Sequence, residues 1–184
     1  MVFSSFSFIF AFLPMVLILY YLVNDKYKNI VLCVASFIFY AWGEPKNIIL
    51  MLISVLFNYY LAIEIEKSVG KKKKVIFIID IVLNLTMIGF FKYVNFIINN
   101  INGIFNSKFS NLNIALPIGI SFYTFQILSY VIDVYRGNVK VQKNIIKLST
   151  YIALFPQLIA GPIVRYEDIE KQLDNRKHTF QFFL

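Results

Sequence analysis

A chain of 184 residues that is 59% hydrophobic, only 15% charged and has a mean hydropathy of +0.68 is not composed like a water-soluble domain. Its formal net charge of +8 does not point to nucleic acid, because the cations sit between apolar runs, where topology signals lie. Its one cysteine, Cys33, excludes an internal disulfide and a thiolate metal cluster.

The apolar runs are 3–23, 30–41, 47–63, 75–94, 112–135 and 145–164. They predict an all-α polytopic membrane protein with five to six transmembrane or re-entrant helices and no separate soluble domain. The first run, Phe3 to Val23, carries no charge and is long enough for a hydrocarbon core of about 30 Å. Without a basic n-region or a small-residue cleavage site, it reads as a retained span rather than a removable signal peptide. Tyr40 and Trp42 close the second run as expected interfacial anchors, and Tyr20, Tyr21, Tyr59, Tyr60, Tyr93 and Tyr135 form the rest of an aromatic belt.

Connections 24–29, 64–74 and 136–147 hold eleven Lys and Arg, against three in the N-terminal segment and connections 42–46 and 92–111. The positive-inside rule then places the N-terminus outside and Lys71–Lys74 in the cytoplasm of a bacterial cell membrane. The lysine run reads as a topology signal, with anionic-lipid binding the alternative. Segment 95–111 is asparagine-rich, with Ile97, Ile101, Ile104 and Phe105 at helical spacing, and is expected as a short helix at the outer interface.

Polar residues inside apolar runs are the informative ones. Asp80 lies six residues beyond Lys74 and is expected as an ion-pair or snorkelling position, with Asn84 on the same face. In "LPIGISFYTFQILSYVIDVYRG", Gln126, Tyr130 and Asp133 stand at i, i+4 and i+7 on one helix face, with Arg136 placed to pair with Asp133. The stripe has two readings, a polar helix–helix seam or the wall of a watery tunnel. In "LFPQLIAGPIVRY", Pro156 lacks an N–H and Gly161-Pro162 interrupts helix again. Backbone groups freed in this way cannot face lipid, so the stretch is predicted to be kinked or re-entrant and to line a cavity.

These two stretches, "LPIGISFYTFQILSYVIDVYRG" and "YIALFPQLIAGPIVRYEDIEKQL", closely resemble the membrane-bound O-acyltransferase (MBOAT) family, in its bacterial polysaccharide and alginate O-acetyltransferase branch. "FYAWGEPKNIILMLISVLFNYYLAI" is similar to the family's N-terminal region, so the resemblance covers nearly the whole chain. It implies a ring of helices around a thinned centre. It also implies transfer of an acyl group from a cytoplasmic thioester co-substrate to a polysaccharide hydroxyl outside, with no bound cofactor. The partners implied are the bilayer, the polysaccharide acceptor and other cell-envelope assembly proteins. The family's catalytic histidine, a general base in a Trp-His-Gly type motif, lies far downstream of the region matched. The one histidine here, His178 in "NRKHTF", is flanked by charge and reads as a solvated surface residue, so no catalytic residue is assigned. The chain stops at "TFQFFL" in mid-pattern and is expected to be the N-terminal portion of a longer acyltransferase domain, inactive alone.

On that reading, Gln126, Tyr130, Asp133, Gln157 and Arg165 are the candidates for shaping the substrate tunnel. Arg165 stands either to meet a donor phosphate or to anchor at the interface. The competing reading is a non-enzymatic membrane protein, transporter-like or the scaffold half of a split protein. No inverted repeat favours it. A third reading, a nuclease, hydrolase or metal enzyme, is disfavoured by the lack of a His/Cys/Asp cluster, a phosphate-binding glycine loop or a nucleophile elbow.

Overall fold

The computed structural model describes residues 5–105, 107–112, 114–161 and 164–174. Among them all regular structure is helical. A π-helical turn, Phe8–Phe12, runs into α1 (Leu13–Leu22). There follow α2 (Asp25–Gly43), α3 (Ile48–Lys67), α4 (Gly70–Phe105), α5 (Ile120–Arg136), α6 (Ile145–Ala153), α7 (Phe155–Ala160) and α8 (Tyr166–Asp174). The α3 and α4 helices are long and apolar enough to cross a membrane. Their outward faces carry Ile53, Leu56, Ile78, Val82 and Leu85, all exposed, which suits lipid contact better than water.

The centre of the bundle is α5, which touches α3, α4, α6 and α7. Tyr123, Thr124, Ile127, Tyr130 and Val131 are its fully buried residues. The helix starts only at Ile120, eight residues into the apolar run, because Gly119 takes a left-handed φ of +75°. It ends in a Schellman turn at Gly137, with Asn138 N–H on the Asp133 carbonyl and Gly137 N–H on that of Val134.

Several expectations change. Residues 95–105 are not a separate interfacial helix. They are the last turns of α4, whose 36 residues extend about 54 Å. Two of their asparagines clasp the returning chain. Asn95 donates to the Leu112 carbonyl at 2.9 Å and accepts from its N–H at 2.8 Å, and Asn102 does the same with Phe109 at 2.8 and 2.9 Å. Tyr40 is not an interfacial anchor. It is buried, and its hydroxyl donates to the Ile118 carbonyl at 3.1 Å, whereas Trp42 is exposed.

Asp80 neither snorkels nor forms an ion pair. It is fully buried where α3 meets α4, and its Oδ2 accepts from the Asn84 amide at 3.3 Å. Asn84 and Asn58 exchange amide hydrogen bonds across the two helices at 2.7 and 3.3 Å. Polar side chains inside a membrane bundle serve in this way as interhelical glue.

The lysine-rich connections gather at one end. Glu66, at the close of α3, accepts from Val141 N–H at 2.9 Å, and Tyr59 donates to the Lys143 carbonyl at 2.7 Å. Lys26, Tyr27, Asn29 and Ile30 share a pocket with Asn144, Ile146 and Lys147. The α8 helix lies at this end too: Asn29 donates to the Leu173 carbonyl at 2.8 Å, and Gln142 donates to the Tyr166 hydroxyl at 2.8 Å. The chain from Ile145 to Asp174 therefore enters the bundle, breaks, and comes back to where it started.

Candidate functional site

The helix break is seen most clearly in one of its lost hydrogen bonds. Leu154 departs from helical backbone with ψ of +114°, and Pro156 sits in the first turn of α7. An unbroken helix would join Phe155 N–H to the Tyr151 carbonyl. Instead Phe155 N–H donates to the hydroxyl of Ser36, on α2, at 3.2 Å. The Tyr151 carbonyl accepts from Gln126 Nε2, on α5, at 2.8 Å. Both groups of that lost bond are thus satisfied by side chains of neighbouring helices, as a low-dielectric interior demands. Phe155 itself packs among Phe8, Phe12 and Phe39, with ring centroids 5.6 to 6.0 Å away. The predicted interruption at Pro156 and Gly161 is present, and Pro162 and His178 lie outside the described residues.

The structure unites Gln126 with Gln157: besides Tyr151, the Gln126 amide reaches Gln157 Oε1 at 3.3 Å. Tyr130 is on the same face, fully buried, and accepts from Gln142 N–H at 2.8 Å. Its ring meets Tyr166 edge-on at 4.9 Å, and Tyr166 meets Tyr151 at 5.2 Å. Tyr151 in turn donates to the Val164 carbonyl at 2.9 Å. Among the described residues the stripe thus packs its phenols and amides against the returning segment.

Asp133 stands apart from this group. It is buried at the close of α5, and Oδ1 accepts from Asn138 at 3.3 Å while Oδ2 has no partner. The expected Arg136 pair is not made, and Arg136 is exposed. The Schellman turn folds Asn138 back over the last turn and so supplies the polar partner instead. Arg165 is exposed just before α8, where its carbonyl accepts from Asp168 N–H at 3.2 Å.

A cleft of about 230 Å³ opens between α2, α6, α7 and α8, with Thr150, Tyr151, Gln157 and Gln172 among its walls. Its polar groups are neutral hydroxyls and amides, able to orient a ligand by hydrogen bonds but unable to act as a general base near neutral pH. Among the described residues no cluster of His, Cys, Asp or Glu is placed to hold a metal. Sequence reasoning missed Ser36, Gln142, Tyr151 and Tyr166. Each belongs to the site through a partner distant in sequence, and the rings of Tyr151 and Tyr166 are fully buried.

No protein-family model matches the chain, and no solved structure does. Curated relatives do match. The chain is 42% identical over 190 residues to a probable alginate O-acetylase AlgI of Pseudomonas aeruginosa, covering 100% of this chain and 36% of that protein. It is 41% identical over 189 residues to the same-named protein of Pseudomonas putida, covering 100% and 39%. It is 30% identical over 210 residues to a peptidoglycan O-acetyltransferase of Helicobacter pylori, covering 98% and 40%. The chain spans about two fifths or less of the length of these relatives. Over its whole length the chain matches the N-terminal part, about 190 residues, of several MBOAT-family acetyltransferases.

Proposed function

We propose that this chain supplies the N-terminal helices of a membrane O-acyltransferase that moves an acetyl or other acyl group from a thioester donor to a polysaccharide hydroxyl outside the cell. The observation that carries this reading is the break between α6 and α7. A membrane bundle commits two side chains from separate helices, Ser36 and Gln126, to hold one interrupted helix beside a polar-walled cleft. Such a construction suits a substrate passage better than a lipid-facing wall. In this reading Gln126, Gln157 and Tyr130 shape the passage, Asp133 fixes the end of α5, and Arg165 faces the cytoplasm at its mouth. The three lysine-rich connections and α8 lie on the cytoplasmic side, and residues 145–174 are re-entrant.

In this reading, as the family resemblance implies, the catalytic base lies downstream of the matched region, and the 184-residue chain alone transfers no acyl group. The test is a chimera in which this chain replaces the matching N-terminal part of the Pseudomonas aeruginosa relative, expressed in cells lacking their own copy. Acetylated alginate from the chimera, with none from the chain alone, supports the reading. Turnover by the purified chain, or a well-inserted chimera without product, contradicts it.

A further inference from the structure

Asp80 is the only acid in α4 and stands about 9 Å along the helix from Lys74, inside an apolar run. It is 0% exposed, so a group from outside this chain reaches it only if α3 and α4 part. Its Oδ2 accepts from Asn84 at 3.3 Å, and among the described residues its Oδ1 has no partner. A bare carboxylate so placed carries a charge that one long hydrogen bond does not offset.

Among the described residues no side chain supplies the missing positive charge. Along α4, Lys71, Lys72 and Lys74 are exposed, and Lys73 lies over the Tyr135 ring at 5.2 Å. On α3, Lys67 is drawn to Glu64 at 3.7 Å, and on α5, Arg136 is exposed. The neighbouring amides have spent their N–H groups. Asn84 Nδ2 donates to Asn58 Oδ1 at 2.7 Å and to the Asp80 carbonyl at 2.9 Å. Asn58 Nδ2 donates to the Ser54 carbonyl at 2.7 Å and to Asn84 Oδ1 at 3.3 Å. Each amide oxygen still keeps a second lone pair. The seam beside Asp80 thus offers neutral oxygens but no spare donor.

We propose that the α3–α4 seam binds one monovalent cation at the Asp80 carboxylate, either a proton or a sodium ion. One buried carboxylate among neutral oxygens matches a single positive charge, and both ions supply it. A lone ionisable group at membrane depth marks an ion or proton site more often than a structural one. Occupancy also keeps the seam closed. A bare carboxylate makes stronger hydrogen bonds than a neutral carbonyl and would draw the Asn84 amide away from Asn58. The site is separate from the α6–α7 cleft and does not depend on the acyl-transfer reading. It requires only that α3 and α4 stay packed.

The test uses the purified chain in neutral detergent and sodium-free choline chloride at neutral pH, with carbon-13 in the aspartate side-chain carboxyls. Infrared difference spectra read the carbonyl stretch of a protonated aspartate. A bound proton gives this band in the native chain and in Asp133→Asn, which removes another buried aspartate, and the band is lost in Asp80→Asn. A sodium site instead gives a saturable rise in thermal midpoint with sodium chloride over choline chloride at equal ionic strength, lost in Asp80→Asn and kept in Asp133→Asn. Either result supports the proposal and names the ion. A native chain with neither the band nor a sodium preference overturns it, and that arm needs no variant to fold. So does a response that survives in Asp80→Asn or disappears in Asp133→Asn.

Discussion

The backbone N–H of Phe155 donates to the hydroxyl of Ser36, 119 residues earlier in the chain, at 3.2 Å in a fully buried setting. A helix break inside a membrane bundle is tolerable only if its freed groups find partners, and this one finds its donor's partner on α2. Ser36→Ala leaves a buried donor unmatched and is expected to cost about 1–3 kcal/mol. Thermal or denaturant unfolding in detergent measures this, and an unchanged midpoint contradicts the assignment.

Gln126 holds the other half of the break through the Tyr151 carbonyl. Gln126→Leu keeps the apolar bulk but orphans that acceptor, and is expected to cost about 1–3 kcal/mol. In the chimera described above it is expected to lower acetylation as well. Full stability together with full activity would show that the amide has no role.

The Asn58–Asn84 amide exchange joins α3 to α4. A double-mutant cycle with Asn58→Ala and Asn84→Ala is expected to give a coupling of about 0.6–1.7 kcal/mol, between the average and the maximum for interhelical hydrogen bonds in membranes. Strict additivity of the two substitutions contradicts the exchange.

Two glycines respond oppositely to alanine. Gly119 has φ of +75°, and a Cβ there meets the Leu158 carbonyl oxygen at 3.2 Å, so Gly119→Ala is expected to destabilise by about 1–2 kcal/mol. Gly103 lies within α4 with no atom within 4 Å of an added Cβ, and Gly103→Ala is expected to stabilise by up to about 1 kcal/mol. Comparing the two unfolding midpoints checks both signs.

Local chemistry made part of this site legible in the sequence. Pro156 has no N–H wherever it stands, so the interruption of α6 could be read from the letter itself. Gln126 and Tyr130 share a face because helix periodicity requires it. Their partners could not be read this way. Ser36 reaches Phe155, and Gln142 reaches Tyr166, only through the packing of α2 and α8 against the break. The Asp133–Arg136 pair does not form because i, i+3 spacing permits a pair without requiring one: Asp133 is buried, Arg136 is exposed, and the turn at Gly137 presents Asn138 to the carboxylate instead. The asparagines of 95–105 looked interfacial, but they serve to clasp the chain that follows α4.

The central claim is that the chain from Ile145 to Asp174 enters and leaves the bundle at the same membrane face. It is tested with single cysteines introduced at the exposed positions Lys71, Lys108, Lys143 and Lys171, in a Cys33→Ser background. These are exposed to a membrane-impermeant thiol reagent in cells with an intact inner membrane. Labelling at Lys108→Cys, with none at the other three until the membrane is opened, is the predicted result. Labelling of Lys171→Cys alongside Lys108→Cys, while Lys143→Cys stays protected, would mean that the segment crosses the membrane, and would contradict the account.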